Sequence, residues 1–118
     1  MKVKFLSPLR VECVSERCWI VNQDFHFSVD GEQYTVPIDT NTDFASVPRL
    51  PFTYMIAGGV SYKAPLIHDW LYTTSDDRKW ADRVFMAALK EEGVPRWKRM
   101  LMYAAVRAFG AAEFQRRP

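Results

Sequence analysis

The 118-residue chain is long enough for one hydrophobic core and too short for two. With 48% hydrophobic and 25% charged residues it excludes long disordered stretches, and its 14% aromatic content predicts a ring-rich core or contact surface. The formal charge of +2 conceals two unlike halves: residues 1–77 carry six Lys/Arg against ten Asp/Glu, and residues 78–118 carry ten against four.

In chain order, Val3–Leu6, Arg10–Val14, Cys18–Val21, Phe25–Val29 and Gln33–Pro37 are short runs rich in β-branched and aromatic residues, separated by turn residues, and they predict five strands. Asp30-Gly31 suits a hairpin turn that needs positive φ. Alternation puts Phe25, Phe27 and Val29 on one face, and His26 and Ser28 on the other, where His26 is expected to be exposed. Cys13 and Cys18 flank the turn Ser15-Glu16-Arg17. A cross-strand disulfide is geometrically open to them, and buried free thiols are the expectation for a reducing cytosol. Two cysteines with no nearby His exclude a zinc site.

Residues 39–60 are expected to form a transition. Asp39-Thr40-Asn41-Thr42-Asp43 is a polar loop in which Thr42-Asp43 can cap the turn before Pro48, and Pro48 itself forbids a regular helix. Pro51 can open a short helix through Ile56, ended by Gly58-Gly59. The remainder is helical. A first long helix runs from about Ser61 or Ala64 to Thr73. A second starts at the caps Ser75-Asp76-Asp77 and runs through Glu92, with Gly93 as its stop, and a third runs from Pro95 or Arg96 to near Gly110. Short connections make successive helices neighbours. Strands followed by helices, without alternation, argue for an α+β fold: antiparallel hairpins or a small sheet, then about three packed helices. One domain spans 1–118, with strands mainly in 1–38, loop and short helix in 39–60, helices in 61–110 and a fraying tail in 111–118.

The segment His68-Asp69-Trp70-Leu71-Tyr72 carries the candidate chemistry. His68 and Tyr72, four residues apart, share one helix face, and Asp69 points about a quarter-turn away. On the next helix Ala81, Val84, Phe85, Ala88 and Leu89 cover one apolar face, and Asp82 falls at its edge. A carboxylate there needs a partner, which His68 and Tyr72 can supply; Arg78, one turn earlier, is another candidate. Asp82 bonded to one nitrogen of His68 would fix its tautomer and leave the other nitrogen to take a proton from water. Asp69 could ligate a hard cation together with loop carbonyls and Asp43. The same residues can equally form a hydrogen-bonded cluster that joins two helices without turnover.

The last helix is apolar around most of its circumference, with Trp97, Met100, Leu101, Met102, Tyr103, Val106 and Phe109. It is expected to be central to the core, with Trp80, Trp97, Met100 and Leu101 as core residues; a partner- or membrane-facing surface is the alternative. The basic end can face phosphate on nucleic acid or lipid, or be a solvated surface that complements the acidic half. No apolar run suits a signal peptide, and the window Met100 to Ala112, broken by Arg107, is too short to span a membrane.

The motifs Thr42-Asp43-Phe44-Ala45-Ser46-Val47-Pro48-Arg49 and Ala64-Pro65-Leu66-Ile67-His68-Asp69-Trp70-Leu71-Tyr72 resemble a family of tailed phages and prophages catalogued as domain of unknown function number 1353. So do Arg78, Ala81-Asp82-Arg83-Val84-Phe85 and Tyr103-Ala104-Ala105-Val106-Arg107 with Gly110. The resemblance implies a phage or prophage origin; with no run suited to a signal peptide or a membrane span, the expected setting is the host cytoplasm or a virion assembled there. A second, local resemblance over residues 58–85 is to secreted phospholipases A2, whose helix carries His-Asp-x-x-Tyr opposite an Asp on the next helix. It implies His68 as general base, Asp82 as the group orienting it, Tyr72 bonded to Asp82, and Asp69 as ligand of a calcium ion. The flanking disulfide cysteines of those enzymes are missing, the glycine-rich calcium loop is reduced to Gly58-Gly59, and the gap from His68 to Asp82 is short.

The function expected from these readings is a metal-assisted hydrolase acting on a cell-envelope component, lipid ester or peptidoglycan. The alternative is a non-enzymatic virion component or a factor that binds a phage or host protein. Nucleic-acid binding is a weaker third option, and it would show an affinity falling steeply with salt.

Overall fold

The computed structural model describes residues 1–15, 18–42 and 63–114. Among these residues six strands come first: β1 (Val3–Phe5), β2 (Val11–Ser15), β3 (Cys18–Val21), β4 (Phe25–Val29), β5 (Glu32–Val36) and β6 (Asn41–Thr42). Among the described residues three helices follow, α1 (Lys63–Thr74), α2 (Arg78–Glu91) and α3 (Arg96–Phe109), and a 3₁₀ turn over Gly110–Glu113 closes the described chain. The arrangement is α+β, as the strand-then-helix order predicts.

The strands form two antiparallel sheets, in the orders β1-β4-β5 and β2-β3-β6. The β4–β5 hairpin turns at Asp30 and Gly31, whose φ angles of 50° and 87° are both positive, and Val29 pairs with Glu32 across the two-residue loop. Asp-Gly at those positions is the sequence device for such a turn. Phe25, Phe27, Val29 and Val36 are buried in the core with Val3 of β1. The Phe27 ring stacks on Tyr34 and meets the edge of Trp70 from α1, while Tyr34 meets Trp80 from α2. These rings join the first sheet to the helices.

α1 enters with Pro65 in its first turn, where the missing N–H has no helical partner to lose. The Ala64 N–H donates to the Glu92 carboxylate at 2.7 Å, which ties the start of α1 to the end of α2. Asp77 caps α2 by accepting the Trp80 N–H at 3.0 Å, and Gly93 ends it at φ 85°. α3 has no side-chain N-cap, but Arg78 donates to its last-turn carbonyls at Val106 and Arg107, at 3.0 and 2.7 Å.

Several expectations change. The polar loop at Asp39–Asp43 contains β6, where Asn41 and Thr42 pair with Ile20 and Trp19 of β3. Asp39, at φ 70°, makes the bend and donates its N–H to the Val21 carbonyl; a short polar side chain tolerates that conformation. His26 is half-buried rather than exposed, with Nδ1 on Thr35 Oγ1 at 2.8 Å, and Ser28 beside it is buried. Trp80 packs against the core, yet Trp97, Met100, Leu101 and Phe109 are exposed, so α3 is a surface helix rather than a central one. It buries only Met102 and Val106, which lie on one side of it. The start of the expected tail is ordered, with the Phe114 ring edge-on to Tyr72 at 5.3 Å.

The strand register sets Cys13 opposite Trp19 and Cys18 opposite Ser15, across a bulge. The expected helix from Pro51 to Ile56, Gly58-Gly59 and Asp43 lie outside the described residues. Among the described residues no helix is long and apolar enough to cross a membrane.

Candidate functional site

The helix pair brings the predicted residues together. His68 and Tyr72 leave α1 on one face, and Asp82 meets them from α2: His68 Nε2 lies 2.6 Å from Asp82 Oδ1, and the Tyr72 hydroxyl donates to the same oxygen at 2.5 Å. On the α2 wheel Asp82 lies at the edge of the buried arc, next to Leu89, as its helical position predicts. The Asp82 side chain is fully buried, as is that of His68. The imidazole packs against the rings of Tyr72 and Phe85, with centroids 4.1 and 4.6 Å away.

The second carboxylate oxygen is held by a residue that sequence reasoning missed. Arg107 Nη1 donates to Asp82 Oδ2 at 2.7 Å from α3. The available signal was a single charge interrupting the apolar window 100–112. Arg78, the nearer candidate in sequence, instead bonds the carbonyls of Val106 and Arg107. One arginine therefore holds the backbone that presents the other.

Burial favours the neutral imidazole and pushes the His68 pKa below its ordinary value, outweighing the bond to Asp82 and the nearby negative charges. Burial alone would raise Asp82, but the hydrogen bonds from His68, Tyr72 and Arg107 more than offset it and hold the carboxyl below its ordinary range. Burial and the Asp82 charge both push the Tyr72 hydroxyl upward. The resting state that follows is an anionic Asp82 paired with cationic Arg107, a neutral His68 and a neutral Tyr72. An ionised carboxylate only accepts, so His68 carries its proton on Nε2.

Asp69 is buried beside His68 on α1. Asp43, its proposed co-ligand, lies outside the described residues, and among those described no group of three or more His, Cys, Asp or Glu gathers to hold a metal. A calcium ion takes six to eight oxygens, so the described donors by themselves do not form its shell.

Gly110 fixes the closeness of this packing. A Cβ built there would lie 2.5 Å from the Tyr72 hydroxyl oxygen, which Asp82 already anchors. Gly110→Ala is expected to displace Tyr72 from Asp82 and destabilise the protein by about 1–3 kcal/mol, read by urea denaturation.

Comparison with known proteins adds family membership without an activity. The family model described as "Protein of unknown function (DUF1353)" matches residues 19–106. The uncharacterized protein y4jT of Sinorhizobium fredii (strain NBRC 101917 / NGR234) is 36% identical over 95 residues, covering 76% of this chain. The match takes in 28% of that relative's own length, so the chain spans little more than a quarter of it. No solved structure matches.

Proposed function

Since the chain belongs to the DUF1353 family, whose description assigns no activity, we propose that it is a phage- or prophage-encoded hydrolase acting on a cell-envelope component, with His68 as general base. The observation that carries this reading is the Nε2 bond of His68 to a carboxylate that Tyr72 and Arg107 also hold. With the Nε2 proton committed to Asp82, a proton taken from an attacking water would have to go to Nδ1. Burial keeps the ring neutral, which is the basic form. Asp82 orients His68, and Tyr72 and Arg107 fix Asp82. The His-Asp-x-x-Tyr likeness to secreted phospholipases A2 supports a lipid ester ahead of peptidoglycan as substrate. A divalent cation, calcium first, is the cofactor proposed for Asp69 and Asp43.

The complete burial of His68 favours a second reading. In it the protein is a virion component or a factor binding a phage or host protein, and the cluster only locks the three helices. In the hydrolase reading a substrate reaches Nδ1 only after the packing around His68 opens.

The test is turnover by the full chain on phospholipid vesicles and on purified peptidoglycan, with calcium and with EDTA. Hydrolysis by the wild type that disappears in a folded His68→Asn variant supports the proposal, and loss in EDTA supports the cation. A wild type inert on both substrates under both conditions overturns it, and a large loss of stability in His68→Asn then supports the second reading.

A further inference from the structure

α3 has two unlike sides. At 100° per residue, Trp97, Met100, Leu101, Ala104 and Ala108 fall within an arc of about 100°, directly opposite the buried Met102 and Val106. All five are exposed, Trp97 at 61% and Leu101 at 58%, and the row runs about 16 Å along the helix. The helix carries Arg96, Lys98, Arg99 and Arg107 and no acidic residue. Lys98 Nζ lies 5.6 Å from the centre of the Trp97 ring, at the border of the row. Beside α3, a groove of about 590 Å³ against α2 is lined by Lys79, Arg83, Lys90 and Arg99 over Met86 and Met100, with no acid among its lining residues.

We propose that this face binds an anionic phospholipid surface, with the apolar row of α3 entering the acyl boundary and the cations of α2 and α3 meeting the phosphates. The charge pattern selects that occupant. A second copy laid on this face would bring two acid-free basic helices together, with like charges opposed. A nucleic acid would satisfy the cations but leave Leu101, Met100 and the alanines without an apolar phase to enter. A lipid interface supplies both negative charge and, just beneath it, hydrocarbon; this is the composition of a helix that lies in the interface plane. None of the five residues of the row belongs to the His68 cluster, and Arg107, which Asp82 holds, is the one cation of α3 shared with it, so binding here does not need His68 itself.

The experiment is co-sedimentation of the full chain with vesicles of phosphatidylglycerol and phosphatidylcholine, compared with phosphatidylcholine alone, at low and high salt. Wild type is expected to pellet with the anionic vesicles and to be released by salt. Apparent affinity should fall about fivefold for each of Arg96→Ser and Lys98→Ser. It should fall at least about tenfold in Trp97→Gln/Leu101→Gln, checked for folding by thermal melting. If that double variant fails to fold, the two single serine variants carry the test. His68→Asn should bind vesicles as wild type does, which separates this proposal from the hydrolase reading. Three results would overturn it: no pelleting with anionic vesicles, salt-insensitive binding to both vesicle types, or self-association without lipid that Trp97→Gln/Leu101→Gln abolishes.

Discussion

Asp82→Ala is expected to cost about 3–5 kcal/mol of folding stability, and to lower the melting temperature by roughly 10–25 °C. The size follows from how many groups depend on one carboxylate. Asp82 accepts from His68, Tyr72 and Arg107, which come from α1 and α3. Arg107 keeps a third of its side chain in solvent and can rehydrate when the carboxylate is gone. His68 and Tyr72 are buried and cannot, so each would keep a donor without its acceptor at about 1–3 kcal/mol. Tyr72→Phe should cost only about 1 kcal/mol, because Asp82 retains two partners and the ring still fills its space. Urea denaturation measures both. If Asp82→Ala melts within a degree or two of wild type, the cluster contributes nothing to holding the helices together.

The second large effect is loss of stability in acid, in two steps. His68 has its folded pKa depressed below the ordinary 6.5, so at mildly acidic pH the unfolded chain binds a proton that the folded chain refuses. Its contribution is complete above about 6.5 and is lost as pH falls below that, by as much as about 1.4 kcal/mol per pH unit. Asp82 is depressed below the ordinary 3.8, so its contribution is present above that value and disappears as pH falls through the folded pKa. Stability should therefore fall from about pH 6.5 downward and fall again in the carboxylate range. Tyr72, raised above the ordinary 10.0, adds the opposite sign at the alkaline end, where stability is lost as pH rises past that value. In His68→Asn the upper acid step should vanish while the lower one remains. A wild type that grows more stable between pH 6.5 and 5 would contradict the neutral buried imidazole.

The features legible in the sequence are those with local causes. Strand alternation, the Asp30-Gly31 turn and the Asp77 cap with its Gly93 stop depend on residues within a few positions of one another, and each appears where its local signal lies. The His68–Tyr72 pair is local too, since a spacing of four on a helix puts both side chains on one face. Asp82 could be joined to them because a short connection forces neighbouring helices into contact.

Arg107 was beyond that reach. It stands 25 positions from Asp82, and nothing within α3 distinguishes an arginine that turns inward to a carboxylate from one that faces water. Its role depends on how α3 is docked, which Arg78 fixes through the last-turn carbonyls. The side of α3 that is buried was equally undetermined. Its apolar residues nearly encircle the helix, so hydrophobicity alone favoured the core for Trp97, Met100 and Leu101, and only the docking of α3 with Met102 and Val106 inward leaves that row exposed. The sequence by itself determined strands β1–β5, the three described helices, the Asp77 cap with its Gly93 stop, and the placement of His68 and Tyr72 on one face, because short-range sterics and helical spacing fix those. The tertiary structure decided which charge completes the cluster and which face of α3 meets solvent, because both depend on the packing of elements that share no local signal.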